Sequence, residues 1–221
     1  MIFPVIKTLS SFSRASLIKI TLFNIALAIS FISLLVYGFT SLGINYMAIE
    51  TSWINSLLEW LLGGVLGIAG WFMLPTLIVL ISGLFQEHII YRTEQAFYPE
   101  RMRKEKPALW PDLLHDLRFT AWAIFLNILI LPLYFFGIGF ILSILLNSYF
   151  LGREFFTTAA GYHLGKPQAQ NLLSNNKISA YIGGLMITLL TLTPVVNLLV
   201  PVIAVVWMVH VYHGLQKLNS A

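Results

Sequence analysis

The chain has 221 residues, 58% of them hydrophobic and 10% charged, with a mean hydropathy of +0.82. A soluble domain carries about 25% charged residues, so this composition excludes an ordinary soluble enzyme and points to an all-α polytopic membrane protein, read as a single unit over residues 1–221. The net charge of +4 argues against a nucleic-acid partner, and the lack of cysteine excludes disulfides, thiolate metal sites and cysteine catalysis.

In chain order, MIFPVIKTLSSFSRASLIKI has no short apolar core followed by a small-residue cleavage site. It is expected to be retained, with the first apolar segment acting as a start-transfer helix. Four main runs free of Asp, Glu, Lys and Arg follow: Ile20–Ile49, Trp60–Gln86, Phe119–Gly152 and Ile178–Gln216. A spanning helix needs about 20 apolar residues to cross about 30 Å of hydrocarbon. The first two runs each suit one somewhat long span. In the second, GGVLGIAG spaces Gly63 and Gly67 for close helix contact. Residues 87–118 and 153–177 are expected to be cytoplasmic linkers with interfacial helices.

The last two runs are too long for one comfortable crossing and short of two. Lys and Arg favour the cytoplasmic side. Lys7, Arg14 and Lys19 precede the first run, the connection to the second carries only Glu50 and Glu59, and Arg92 to Arg118 follow it. That pattern predicts a cytoplasmic N-terminus, a short external turn and a cytoplasmic central loop. If both late runs enter and leave on one side, all 13 basic residues become cytoplasmic. Re-entrant hairpins of half-depth helices satisfy this. LPLYFFGIGF, with Pro132, Gly137 and Gly139, offers one break, and Thr193-Pro194 followed by Pro201 offers another. Thr before Pro reads as a helix N-cap and first residue, so Ile178–Leu192 would rise and Pro194 onward descend. A continuous kinked helix is the alternative, because membrane helices tolerate proline.

No HExxH, GxSxG, GxxxxGK[ST] or GxGxxG motif is present, so no catalytic group, cofactor or metal is expected. Asp112, His115 and Asp116 cluster at helical spacings, suited to interfacial solvation or, alternatively, to gating or proton handling. His210 and His213 share a helical face without an evident carboxylate neighbour, leaving proton coupling as their functional reading. Trp53, Trp60, Trp110 and Trp122 suit interfacial anchoring against membrane lipids. At a hairpin apex, free N–H groups and the positive end of the descending helix can meet an anion at mid-depth. The candidate substrate-binding set is Arg14, Lys19 and Lys177 at the cytoplasmic mouth, with Thr193 and Asn197 at the apex. Surface anchoring is the alternative for the three cations, and helix–helix hydrogen bonding for Asn197.

The whole pattern resembles the CysZ-like sulfate permease family. The residues that carry the resemblance are SFSRASLIK, LFQEHIIYRTEQ, LPLYFFGIG, EFFTTAA and the last segment with Pro194, Asn197-Leu198 and Pro201. It implies two membrane-crossing helices plus two pairs of half-penetrating helices, oligomeric assembly, and sulfate uptake through the bacterial inner membrane for cysteine synthesis. Arg14 matches a basic position that the family uses in sulfate binding. Ala15 stands where the family often has a second arginine, and QNLLSNNK leaves mainly Lys177 where it is often richer in arginine. Sulfate or another small oxyanion is therefore the expected ligand. The competing readings are a membrane assembly or organising protein and a less selective channel for small anions or osmolytes.

Overall fold

In the computed structural model, residues 4–46, 52–103, 121–123 and 125–219 are described. Among them every regular element is helical: α1 Val5–Arg14, α2 Leu17–Tyr46, α3 Ser52–Phe97, α4 Ile138–Leu164, α5 Lys166–Asn175, α6 Lys177–Thr191, α7 Pro194–Asn197 and α8 Val200–Asn219. Two short 3-10 helices, Pro99–Arg101 and Leu131–Phe136, precede and follow residues 121–130. The protein is all-α. Among the described residues, three segments are long and apolar enough to cross a membrane: Leu17–Leu42, Trp53–Trp71 and Ile138–Leu164. The third was not anticipated as one helix. Gly152 and Arg153 lie inside α4, so the end of the uncharged run is not the end of an element.

The chain divides into two compact units, Lys19–Leu84 and the pair Met1–Ile18 with Phe85–Ala221. In Lys19–Leu84, Asn24 Nδ2 of α2 donates to Ser82 Oγ of α3 at 3.2 Å. A Cβ on Gly70 would meet Ile32 Cγ2 at 2.6 Å, so the contact between these helices requires glycine there. Among the described residues, a Cβ on Gly63, Gly64 or Gly67 would meet nothing within 4 Å, so the expected close-packing spacing has no partner helix there. α3 has 46 residues and is about 70 Å long, more than twice a bilayer core. Its charged end LFQEHIIYRTEQAF contains no glycine or proline, so nothing stops the helix until Pro99, which disfavours helical geometry at the residue before it.

In the other unit α8 is the central element. Val200 to His213 is buried almost throughout, and α4, α6 and α1 pack around it. The chain reverses between α6 and α8. A Cβ on Gly183 would lie 2.7 Å from Met208 Cε and 2.9 Å from Trp207 Nε1, which aligns the two helices antiparallel on either side of residues 192–199. The proline run is therefore a turn between two helices and not a kink. Thr193 holds extended geometry at the cap and Pro194 opens α7, although the Thr193 hydroxyl makes no capping bond.

Helices α4 and α6 touch backbone to backbone. Ser148 and Gly152 on one face Ala180 and Gly184 on the other, and a Cβ on either glycine would collide with a carbonyl oxygen of its neighbour. Two small residues four apart on each helix permit that approach. Gly137 at φ +73° and Gly165 at φ +77° frame α4, where residues with a Cβ would be strained. Helix α1 is amphipathic in an unusual sense. Its polar Thr8 and Ser11 are buried, while Ile6 and Leu9 face outward, the arrangement of a helix that lies against lipid.

Candidate functional site

The five residues selected from the sequence do not converge on one point. Arg14 ends α1, is exposed, and lies with its guanidinium 5.7 Å from the Phe97 ring centroid. Lys19 is an exposed residue of α2, in the other unit. Lys177 opens α6 and Thr193 follows its far end, so the 15-residue helix puts about 22 Å between Lys177 and Thr193. Asn197 closes the one-turn α7. Its backbone N–H donates to Thr193 O at 2.8 Å, and those of Leu198 and Leu199 donate to Val195 O and Val196 O. Much of the donor capacity expected for an anion at the apex is thus used within the turn. Asp112, His115 and Asp116 lie outside the described residues, as does Trp110.

Lys177 does gain a partner that spacing alone did not single out. It lines a cavity of ≈ 380 Å³ with Arg153, Gln170 and Tyr181, and among the described residues no carboxylate borders it. Arg153 is buried at 6% exposure, and Gln170 Oε1 is buried without a hydrogen-bond partner. Two cations here face one space, at the wall formed by α4, α5 and α6. A second cavity of ≈ 660 Å³ is bordered, among the described residues, by Lys7, Arg101 and Lys217 against one acid, Glu100. Both cavities suit an anion electrostatically.

A third arrangement joins the C-terminal ends of α3, α4 and α8 to α1. Glu94, 1% exposed, accepts hydrogen bonds at Oε1 from His163 Nε2 at 2.6 Å and His213 Nε2 at 2.8 Å. Burial pushes the Glu94 carboxyl up, but the hydrogen bonds and charges of the two histidines outweigh it and hold it below its ordinary value. His210, one turn before His213, is fixed separately. The Ser11 hydroxyl gives its hydrogen to Lys7 O at 2.8 Å, so its oxygen accepts from His210 Nε2 at 2.9 Å. His210 Nδ1 then accepts from the Tyr98 hydroxyl at 2.9 Å. This assigns His210 the Nε2–H tautomer.

The carboxylate that His213 lacked in the sequence is therefore Glu94, 119 positions away, with His163 as a third member. No helical spacing could have found it. Glu94 stood in the charged exit of the second run, and His163 stood ten residues after Arg153. Only the packing of three helices brings them together.

A helical membrane protein with cationic cavities is the class defined by these features. The chain matches the family described as Sulfate transporter CysZ/Etoposide-induced protein 2.4 over residues 5–201 and belongs to it. No curated protein and no solved structure gives a significant match.

Proposed function

We propose that the protein carries sulfate, or a closely similar small oxyanion, across the bacterial inner membrane for sulfate assimilation and cysteine synthesis. Family membership over residues 5–201 carries this reading, and the cavity that Arg153 and Lys177 share supports it. A dianion gives up a large hydration energy on leaving water, so its path needs several donors that each hold it weakly enough to release it. In this reading Arg14 and Lys177 gather the anion on the cytoplasmic side, and Lys19 adds positive charge within its own unit. The Asn197 amide and the Thr193 hydroxyl supply polar groups at the apex. Transport involves no catalytic step in this reading, and no nucleic acid.

Two spans, in α2 and α3, and two half-penetrating hairpins turning at Leu131–Gly137 and Leu192–Leu199 are the topology we favour, with the N-terminus cytoplasmic. Both tips are apolar: Phe135 is 95% exposed and Val195 74%, as suits surfaces that meet hydrocarbon or another subunit. The open face at Gly63 and Gly67 offers a place for a second copy in a homo-oligomer.

Radiolabelled sulfate flux into liposomes holding the purified protein tests the function. Wild type should exceed protein-free liposomes, and Lys177→Ala, Arg14→Ala and Asn197→Ala should each lower the flux about tenfold or more, as loss of about 1.4 kcal/mol of anion stabilisation requires. No flux under any proton gradient would sink sulfate transport. Flux unchanged by all three substitutions would retain transport and reject these residues as its path.

A further inference from the structure

Around Glu94 the hydrogen bonds leave a donor set incomplete. Both histidine Nε2 atoms approach the same carboxylate oxygen, Oε1. The other oxygen, Oε2, is buried with no partner, as is Nδ1 of His213. A buried carboxylate oxygen without a donor is costly, and a cation is a partner that can engage both oxygens. We propose that Glu94, His163 and His213 form a binding site for a first-row divalent cation, Zn(II) foremost, that joins α3, α4 and α8.

One ligand atom from each residue lies within 4.8 Å of the other two. Tetrahedral ligands about 2.0–2.2 Å from zinc stand about 3.4 Å apart. From the present 2.6 and 2.8 Å to Oε1, the two rings need to withdraw by about 0.6–0.8 Å, and each Nε2 gives up the proton it now donates, to Nδ1 or to solvent, to admit the ion. Two imidazoles and a carboxylate form a donor set that zinc accepts while keeping a fourth position; calcium and magnesium require six or more ligands, mainly oxygen. His163 and His213 border a cavity of ≈ 240 Å³ that also touches Arg101, so the fourth position has room for water and the ion has a route in.

The rings are held by stacking. Tyr98 lies 4.0 Å from His213 at 16°, and Tyr212 lies 5.2 Å from His163 at 18°. That restricts the rings to orientations that keep Nε2 directed at one point. His210 does not join the set, because Ser11 and Tyr98 engage its two nitrogens. An ion binding only the folded arrangement stabilises it by mass action and clamps three helices remote in sequence.

The test uses the full-length protein in detergent, stripped with a chelator and dialysed against Zn(II) or Co(II). Wild type should retain one zinc per chain, melt at a higher temperature with zinc, and give the visible bands of tetrahedral Co(II). Glu94→Gln and His163→Ala should lower the affinity by more than the roughly 10- to 100-fold that losing a group bonded to a ligand costs, while His88→Ala, an exposed histidine of α3, should retain it. X-ray absorption on zinc-loaded wild type should find two imidazoles, which keeps the test independent of variant folding. A monodisperse wild type that retains no zinc, retention unaffected by Glu94→Gln and His163→Ala, or an all-oxygen zinc environment would overturn the site. Sulfate flux into liposomes is read separately, so loss of the metal assignment leaves the transport reading standing.

Discussion

Tyr98 links the end of α3 to His210 of α8 through a single hydroxyl, and burial raises its pKa from the ordinary 10.0 to about 12. Arg101 opposes the rise and Glu94 adds to it. Between pH 10 and 12 the unfolded tyrosine loses its proton while the folded one keeps it. The stability that Tyr98 contributes is thus complete below pH 10 and lost as pH rises through about 12. Thermal melts in detergent across this range should show a fall in melting temperature that is smaller in Tyr98→Phe. At neutral pH the same variant leaves His210 Nδ1 without its donor, at a cost of about 1–3 kcal/mol. For a chain of this size that is a drop of several degrees. An unaltered neutral melt would show that the hydroxyl carries no weight in the link. None of this was readable from residue types alone. His210 was marked in the sequence, but Ser11 and Tyr98 are common residues whose pairing depends on where two distant helix ends arrive.

Helix spacing in the sequence pointed to Gly63 and Gly67, whereas the backbone contact within the chain falls at Gly152 and Gly184. The difference is physical. A small-residue spacing states that close approach is possible, and the partner helix decides whether it occurs. Replacing Gly184 by Leu should separate α4 from α6 and cost about 1–3 kcal/mol or more, read as a lower melting temperature and earlier aggregation. Gly67→Leu should leave the melting of an isolated chain within about 0.5 kcal/mol and act on subunit association, read by cross-linking. Equal destabilisation by both would contradict the contacts seen here. The turn at Thr193-Pro194 was legible because proline acts locally on its own backbone. The one-turn α7 that follows was not, nor was the continuity of α4 through Arg153, since burial of that arginine depends on neighbours from α5 and α6.

At the scale of the molecule, apolar side chains are exposed on α1, at Phe135 and Val195 and along α2 and α3, while polar groups gather near the C-terminal ends of α3, α4 and α8. That distribution is expected where lipid replaces water around the protein. The orientation we propose can be checked in the cysteine-free chain by adding single cysteines. Positions 41–55 should react with a membrane-impermeant reagent from outside, and positions 166–176 should not. External labelling of 166–176 would mean that a late segment crosses fully, as the length of α4 allows, and would overturn the double-hairpin arrangement.

The sequence by itself determined that this is an all-helical membrane protein of the sulfate-transporter family, with a chain reversal near Pro194. Composition, uncharged runs and proline act over short distances and need no partner to be read. The tertiary structure alone decided which cations share a cavity, which glycines bear helix contacts, and that Glu94, His163 and His213 meet. Those outcomes depend on contacts between residues tens to more than a hundred positions apart, and such contacts exist only once the helices have packed.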